Sequence, residues 1–133
     1  MAVKVTTTVL GLEKTRAAAV LFGRRALHEL GAALYRQGEQ IMTEAKLQTP
    51  VDTGNLRASG HVQAPTRTAG QVVVQLGFGG VAAPYAVYVH ENMQVHHPVG
   101  NAKFLEIPYR AKLATLDKDM AADLSATLTR KAA

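Results

Sequence analysis

His90, Glu91, His96 and His97 lie close together in the chain and carry side chains that could bind zinc or run acid–base catalysis. Their spacing argues against both. A zinc-binding helix of the His-Glu-x-x-His type needs its second histidine four residues after the first, and Gln94 stands there. The adjacent His96 and His97 before Pro98 read as a polar loop or a contact surface. Asp52 and Arg57 could form a charged catalytic pair, but capping by Asp52 and a surface salt bridge explain both. Thr53 and Ser59 lack a neighbouring base and the glycine frame of a nucleophile elbow. Gly77-Phe78-Gly79-Gly80 lacks the Lys-Ser/Thr ending of a phosphate loop and reads as a wide turn. Asp117, Asp119 and Asp123 do not have calcium-loop spacing and fit a solvated helix face. No catalytic, cofactor-binding or metal residue is assigned, and the chain is expected not to be an enzyme.

The totals point the same way. At 133 residues the chain is expected to form one domain. It has no cysteine, so neither a disulfide framework nor a thiolate metal site is available. No stretch approaches the roughly 18 apolar residues of a membrane span, and the opening Met1-Ala2-Val3-Lys4 lacks the layout of a secretory leader. A formal charge of +5 suits an acidic partner or nucleic acid. The basic residues, however, are scattered from Lys4 to Lys131, with no run of five like charges and no interleaved aromatics. Passive contact of some of them with DNA stays open.

Residues 3–10 alternate Val3, Val5, Thr7 and Val9 on one face and predict a strand with no hairpin partner next to it. It must pair with a distant strand or with another chain. From about Glu13 to Gln48 the period turns helical, with Val20, Leu27, Leu30, Leu34, Ile41 and Ala45 on one face. Arg25, Glu29, Arg36 and Gln40 fall opposite. Gly23 is a possible bend. Gly31 and Gly38 lie on the apolar face, where a sheet or helix could approach closely.

Pro50 then stops the helix by displacing Thr49 from the helical region. Asp52 or Thr53 can cap a new turn, Gly54 allows a tight path, Leu56 plugs into the core, and Arg57 faces out before an extended run begins at Ala58. Ala58 to Ala64 and Gln71 to Phe78 read as a hairpin across Pro65–Gly70, with Val72, Val74, Leu76 and Phe78 on one face. Tyr85 to His90 could be a strand or a short helix. A loop over 92–100 leads to Asn101, a good cap for a last helix. Ala102, Leu105, Tyr109, Leu113, Leu116, Met120 and Leu124 keep one phase there, with Pro108 forcing a kink or a delayed start.

Three stretches carry a resemblance. TPVDTGNLRASGHV at 49–62, APYAVYVHE at 83–91 and HPVGNAKFLEIPYRA at 97–111 resemble, in that order, the tail-completion or head–tail joining (neck) proteins of long-tailed bacteriophages. The resemblance implies a structural virion protein forming a homomeric, sixfold ring that joins tail to head connector. Its partners would be itself and other neck, tail and connector proteins, with no membrane and no cofactor. It also implies a virion location after synthesis in the host cytoplasm. A tail terminator, a minor capsid protein and, further off, a small basic DNA-binding protein are the alternatives.

The expected fold is α+β, with long N- and C-terminal helices on a small, mostly antiparallel sheet and an N-terminal edge or exchanged strand. Its divisions are an arm at 1–11, a helix at 12–49, turn and sheet at 50–91, a loop at 92–101 and a helix at 102–131. Pro50, Asp52, Thr53, Gly54, Leu56 and Arg57 form the structural turn. The candidate interface residues are Val3, Val5, Pro84, Tyr85, Tyr88, His90, His96, His97 and Phe104.

Overall fold

The computed structural model describes residues 3–9, 24–51, 54–68, 71–81 and 83–132. The order is β1 (Val3–Val9), α1 (Arg24–Gln48), α2 (Asn55–Ala58), β2 (His61–Val62), β3 (Thr66–Thr68), β4 (Gln71–Phe78), α3 (Ala86–Glu91), α4 (Glu106–Leu113) and α5 (Leu116–Ala132). The architecture is α+β, as expected. β4 is central. β1 runs antiparallel along one side, from Val3 opposite Phe78 to Val9 opposite Val72, so the N-terminal strand finds its distant partner within this chain. Along the other side lie β2 and β3, with Val62 opposite Leu76 and Arg67 opposite Val72.

Alternation along β4 sends Val72, Val74, Leu76 and Phe78 inward, where all four are buried against α1. The described helix meets them with Leu30, Ala33, Leu34, Ile41, Met42 and Ala45. At Gly38 the helix lies close on the sheet: a methyl group there would sit 3.2 Å from Val62 of β2 and 3.3 Å from Val74. At Gly31 the neighbour is Arg67, whose guanidinium donates to the carbonyls of Leu27 (3.2 Å) and His28 (3.0 Å). Glu29, expected on the solvent side, is buried instead. Val20, Gly23 and the predicted helix over 12–23 lie outside the described residues.

Other boundaries moved. Ala58 closes the short helix α2 rather than opening a strand, and pairing to β4 begins only at His61. Thr66-Arg67-Thr68, expected as turn, is strand: Pro65 cannot donate to the ladder, so pairing lapses and then resumes beyond it. The reversal therefore falls at 69–70, outside the described residues. The ambiguous segment after Tyr85 is helix, which turns Ala86 and His90 inward together. The last helix does not start from Asn101. Residues 102–105 form turns in which Lys103 has φ 59°, and α4 begins at Glu106 with Pro108 in its first turn, where a missing N–H costs nothing. This is the delayed start. The run also breaks at 114–115, which leaves Leu113 at 45% exposure despite its phase.

Two apolar clusters result. One gathers Ile41, Met42, Leu56, Leu76, Phe78 and Phe104 around the end of β4 nearest the helix corner. The other joins Leu30, Leu34, Val72, Val74 and Met120 where α5 crosses α1. Among the described residues, no helix is long and apolar enough to cross a membrane.

Candidate functional site: a groove at the helix corner

The corner after α1 is closed from several directions. The Thr49 side chain is fully buried and donates back to the Ala45 carbonyl at 2.7 Å. Asn101 N–H donates to the Gln48 carbonyl at 2.9 Å, and Arg57 Nη2 reaches the Thr49 carbonyl at 3.4 Å. These bonds satisfy carbonyls that a helix C-terminus leaves open. Arg57 thus folds back on the corner instead of facing out, and it is part-buried. Asp52 and Thr53 lie outside the described residues, so their capping and the Asp52–Arg57 pair are not described. The position before α2 belongs to Gly54, at φ 85° and ψ −8°.

Ser59, weighed as a nucleophile, is a tie. Its hydroxyl donates to the Leu56 carbonyl at 2.6 Å and accepts from Gly79 N–H at 2.9 Å, joining the end of α2 to the end of β4. Gly100, with φ 81°, brings the 92–100 loop back onto the corner. A methyl group there would lie 2.5 Å from the Gln48 carbonyl oxygen and 2.6 Å from Pro50 N.

His90 and Phe104, expected at an interface, are both inside. His90 is 4% exposed and Phe104 is fully buried. The Phe104 ring stands edge-on to Phe78 at 4.9 Å and to His90 at 5.1 Å. His90 Nε2 accepts from Glu106 N–H (3.2 Å), at the start of α4. That assigns the ring proton to Nδ1, which donates to Glu91 Oε1 at 2.7 Å. The Lys103 backbone N–H bonds the His90 carbonyl at 2.7 Å, and its ammonium pairs with Glu91. His90 therefore clasps the base of the 92–100 loop and caps a helix, which leaves it no free ring nitrogen. Lys103, then His90, hold the Glu91 carboxyl below its usual range, and Glu91 raises Lys103. Arg110, then Lys103, lower Glu106.

Between corner and loop lies an open groove of about 680 Å³. Its walls are Pro50, Val51, Gly54, Asn55, Leu56, Tyr85, Val89, His97, Pro98 and Val99. Of the residues singled out from sequence, the fold brings Pro50, Gly54, Leu56, Tyr85 and His97 together here. Tyr88 (68% exposed), Pro84 and His96 are exposed nearby in sequence. Val3 and Val5 sit in β1 opposite Phe78 and Leu76, and their side chains lie outside the described residues. The groove's wall is apolar apart from Asn55, His97 and the Tyr85 hydroxyl. His97 Nε2 is buried without a hydrogen-bond partner. A second groove, of about 580 Å³, runs between α1 and α4 past Gln40, Glu44, Ile107 and Lys112. Among the described residues, no group of three or more His, Cys, Asp or Glu could hold a metal ion.

Sequence reasoning missed the clasp role of His90, the Ser59 bridge and the Arg67 clamp. Ala83, Ala86 and His90 at helical spacing were a signal for the first of these, and Gly31 on an apolar face for the last. No protein-family model matches the chain, and comparison with curated proteins and with solved structures gave no match.

Proposed function

We propose that this chain is a structural virion protein of a long-tailed bacteriophage, a subunit of a homomeric ring at the junction of head and tail. One observation carries this reading. All ten residues lining the corner groove come from the three stretches that resemble tail-completion proteins, 49–62, 83–91 and 97–111. Stretches separated in sequence share one apolar wall, and Val51, Tyr85, Tyr88, Met93, Val95 and Val99 remain more than 40% exposed on or around these segments. Exposed apolar side chains concentrated in this way mark a protein-contact surface. The groove lining has no Lys or Arg, which disfavours a nucleic-acid site there.

The function is then assembly, with no reaction centre. The corner fixes the groove's geometry, and the loop clasped by His90 supplies its far wall. A ring of this kind uses two different faces of each subunit, since a cyclic ring of more than two subunits closes through heterologous contacts. The test is deletion of the coding region from the parent phage, followed by electron microscopy of the lysate. Filled heads beside finished, unattached tails are expected. Normal virions would overturn the proposal.

A further inference from the structure

We propose that the corner groove receives the Val81 tip of a second copy of this chain, making a head-to-tail contact; this rests on the homomeric reading above. Val81 is 103% exposed, more open than any other large apolar side chain described. Its backbone holds it out. Gly79 and Gly80 both have φ 105°, and Ala83 N–H closes a turn onto the Gly80 carbonyl at 3.2 Å. Full exposure also shows that Val81 does not occupy its own molecule's groove, although Tyr85, four residues on, lines it.

Charge selects the occupant. The chain carries +5, so two copies repel wherever their basic residues meet. From Gly77 to Val89 no residue is charged, and no wall residue of the groove is Lys, Arg, Asp or Glu. Tip and groove can therefore join without stripping water from an ion, which is the largest cost of an ill-matched contact. A stable contact buries about 800 Å² on each partner. Val81 is accordingly the anchor, and the remaining area must come from other exposed surface on both copies.

The absence of cysteine makes the test clean. Full-length protein would carry Val81→Cys with Val99→Cys, or Val81→Cys with Val51→Cys, and be treated with a short bismaleimide. A ladder extending beyond dimer is expected from either double variant, and no product from any single one. Dimers from Val81→Cys alone would mean that two tips meet, and would overturn the proposal. Sedimentation velocity of the unmodified chain separates the two levels of inference. Oligomers without a ladder overturn the tip contact and leave the ring reading standing; a monomer at every concentration sinks both. Val81→Asp, a change at a fully exposed site, should weaken self-association about tenfold or more, as expected for an anchor residue. Its circular dichroism and thermal midpoint should stay unchanged. Unaltered association would overturn the tip's role.

Discussion

The two apolar clusters lie at opposite ends of β4 and are finished differently at the surface. Where α5 crosses α1, the rim is ionic: Arg36 pairs with Asp123 at 2.6 Å, and Lys112 holds Asp119 and Gln40. Among the described residues, no large hydrophobic of α5 is exposed. At the corner, the core is the better assembled of the two, with aromatic rings edge-on and elements from five parts of the chain. Its rim carries the Glu91–Lys103–Glu106 ion pairs on one side, but on the other an exposed apolar run from Val51 through Val99 is left uncovered. Burial inside is comparable, so the difference lies in what each surface still lacks. An ionic rim is complete in water. The exposed apolar run leaves hydrocarbon in water, which is the surface the proposed ring contact would cover.

The comparison can be broken by mutation, beginning with the cores. Phe104→Ala should cost about 3–5 kcal/mol, read from the denaturant midpoint, since the whole ring is buried between Phe78 and His90. Met120→Ala at the other end should cost less, about 2–3 kcal/mol, because the flexible α5 side chain sits on a cluster with half-buried neighbours. Equal losses would mean that the corner core is no better packed.

Within the corner, two glycines of similar φ divide conformation from contact. Gly100→Ala faces backbone at 2.5 Å and should cost about 3 kcal/mol, the sum of left-handed strain and overpacking. Gly54→Ala has nothing within 4 Å and should cost only the strain, about 1 kcal/mol. If Gly100→Ala is as mild as Gly54→Ala, the loop does not press on the corner.

Acid should loosen both rims modestly. Glu91, Glu106, Asp119 and Asp123 are each held below the ordinary carboxylate range, Asp119 by the Thr115 hydroxyl and then Lys112, Asp123 by Arg36. The unfolded chain therefore takes up protons first as pH falls. Stability from these groups is full above about pH 4.5 and is lost as pH drops through the lower folded values. A thermal midpoint that does not fall below pH 4 would remove them from the account. The Arg36–Asp123 pair, with Arg36 43% exposed, should show a coupling of no more than about 1 kcal/mol in a double-mutant cycle. The smallest change expected is Tyr88→Ser, which should leave the thermal midpoint within error while reducing self-association.

Much of this was legible in the residues alone. The alternation of Val72, Val74, Leu76 and Phe78 and the helical spacing of Leu30, Leu34, Ile41 and Ala45 named the faces that are buried. Gly31 and Gly38 marked two points of close approach, and Pro50 marked the corner. These are local properties: periodicity records which side of an element leaves water, and glycine or proline restricts its own backbone. Tertiary structure decided the rest. His90 and Phe104 look like surface residues beside polar neighbours, but the loop between them closes and carries both inside. Arg57 turned inward because α1 left the Thr49 carbonyl within its reach. Pro50, Tyr85 and His97 share one wall only in the folded chain, where residues of α1, β4 and α3 meet in the corner core. A local pattern can say that a side chain will be covered; which distant group covers it depends on contacts that form across the folded chain.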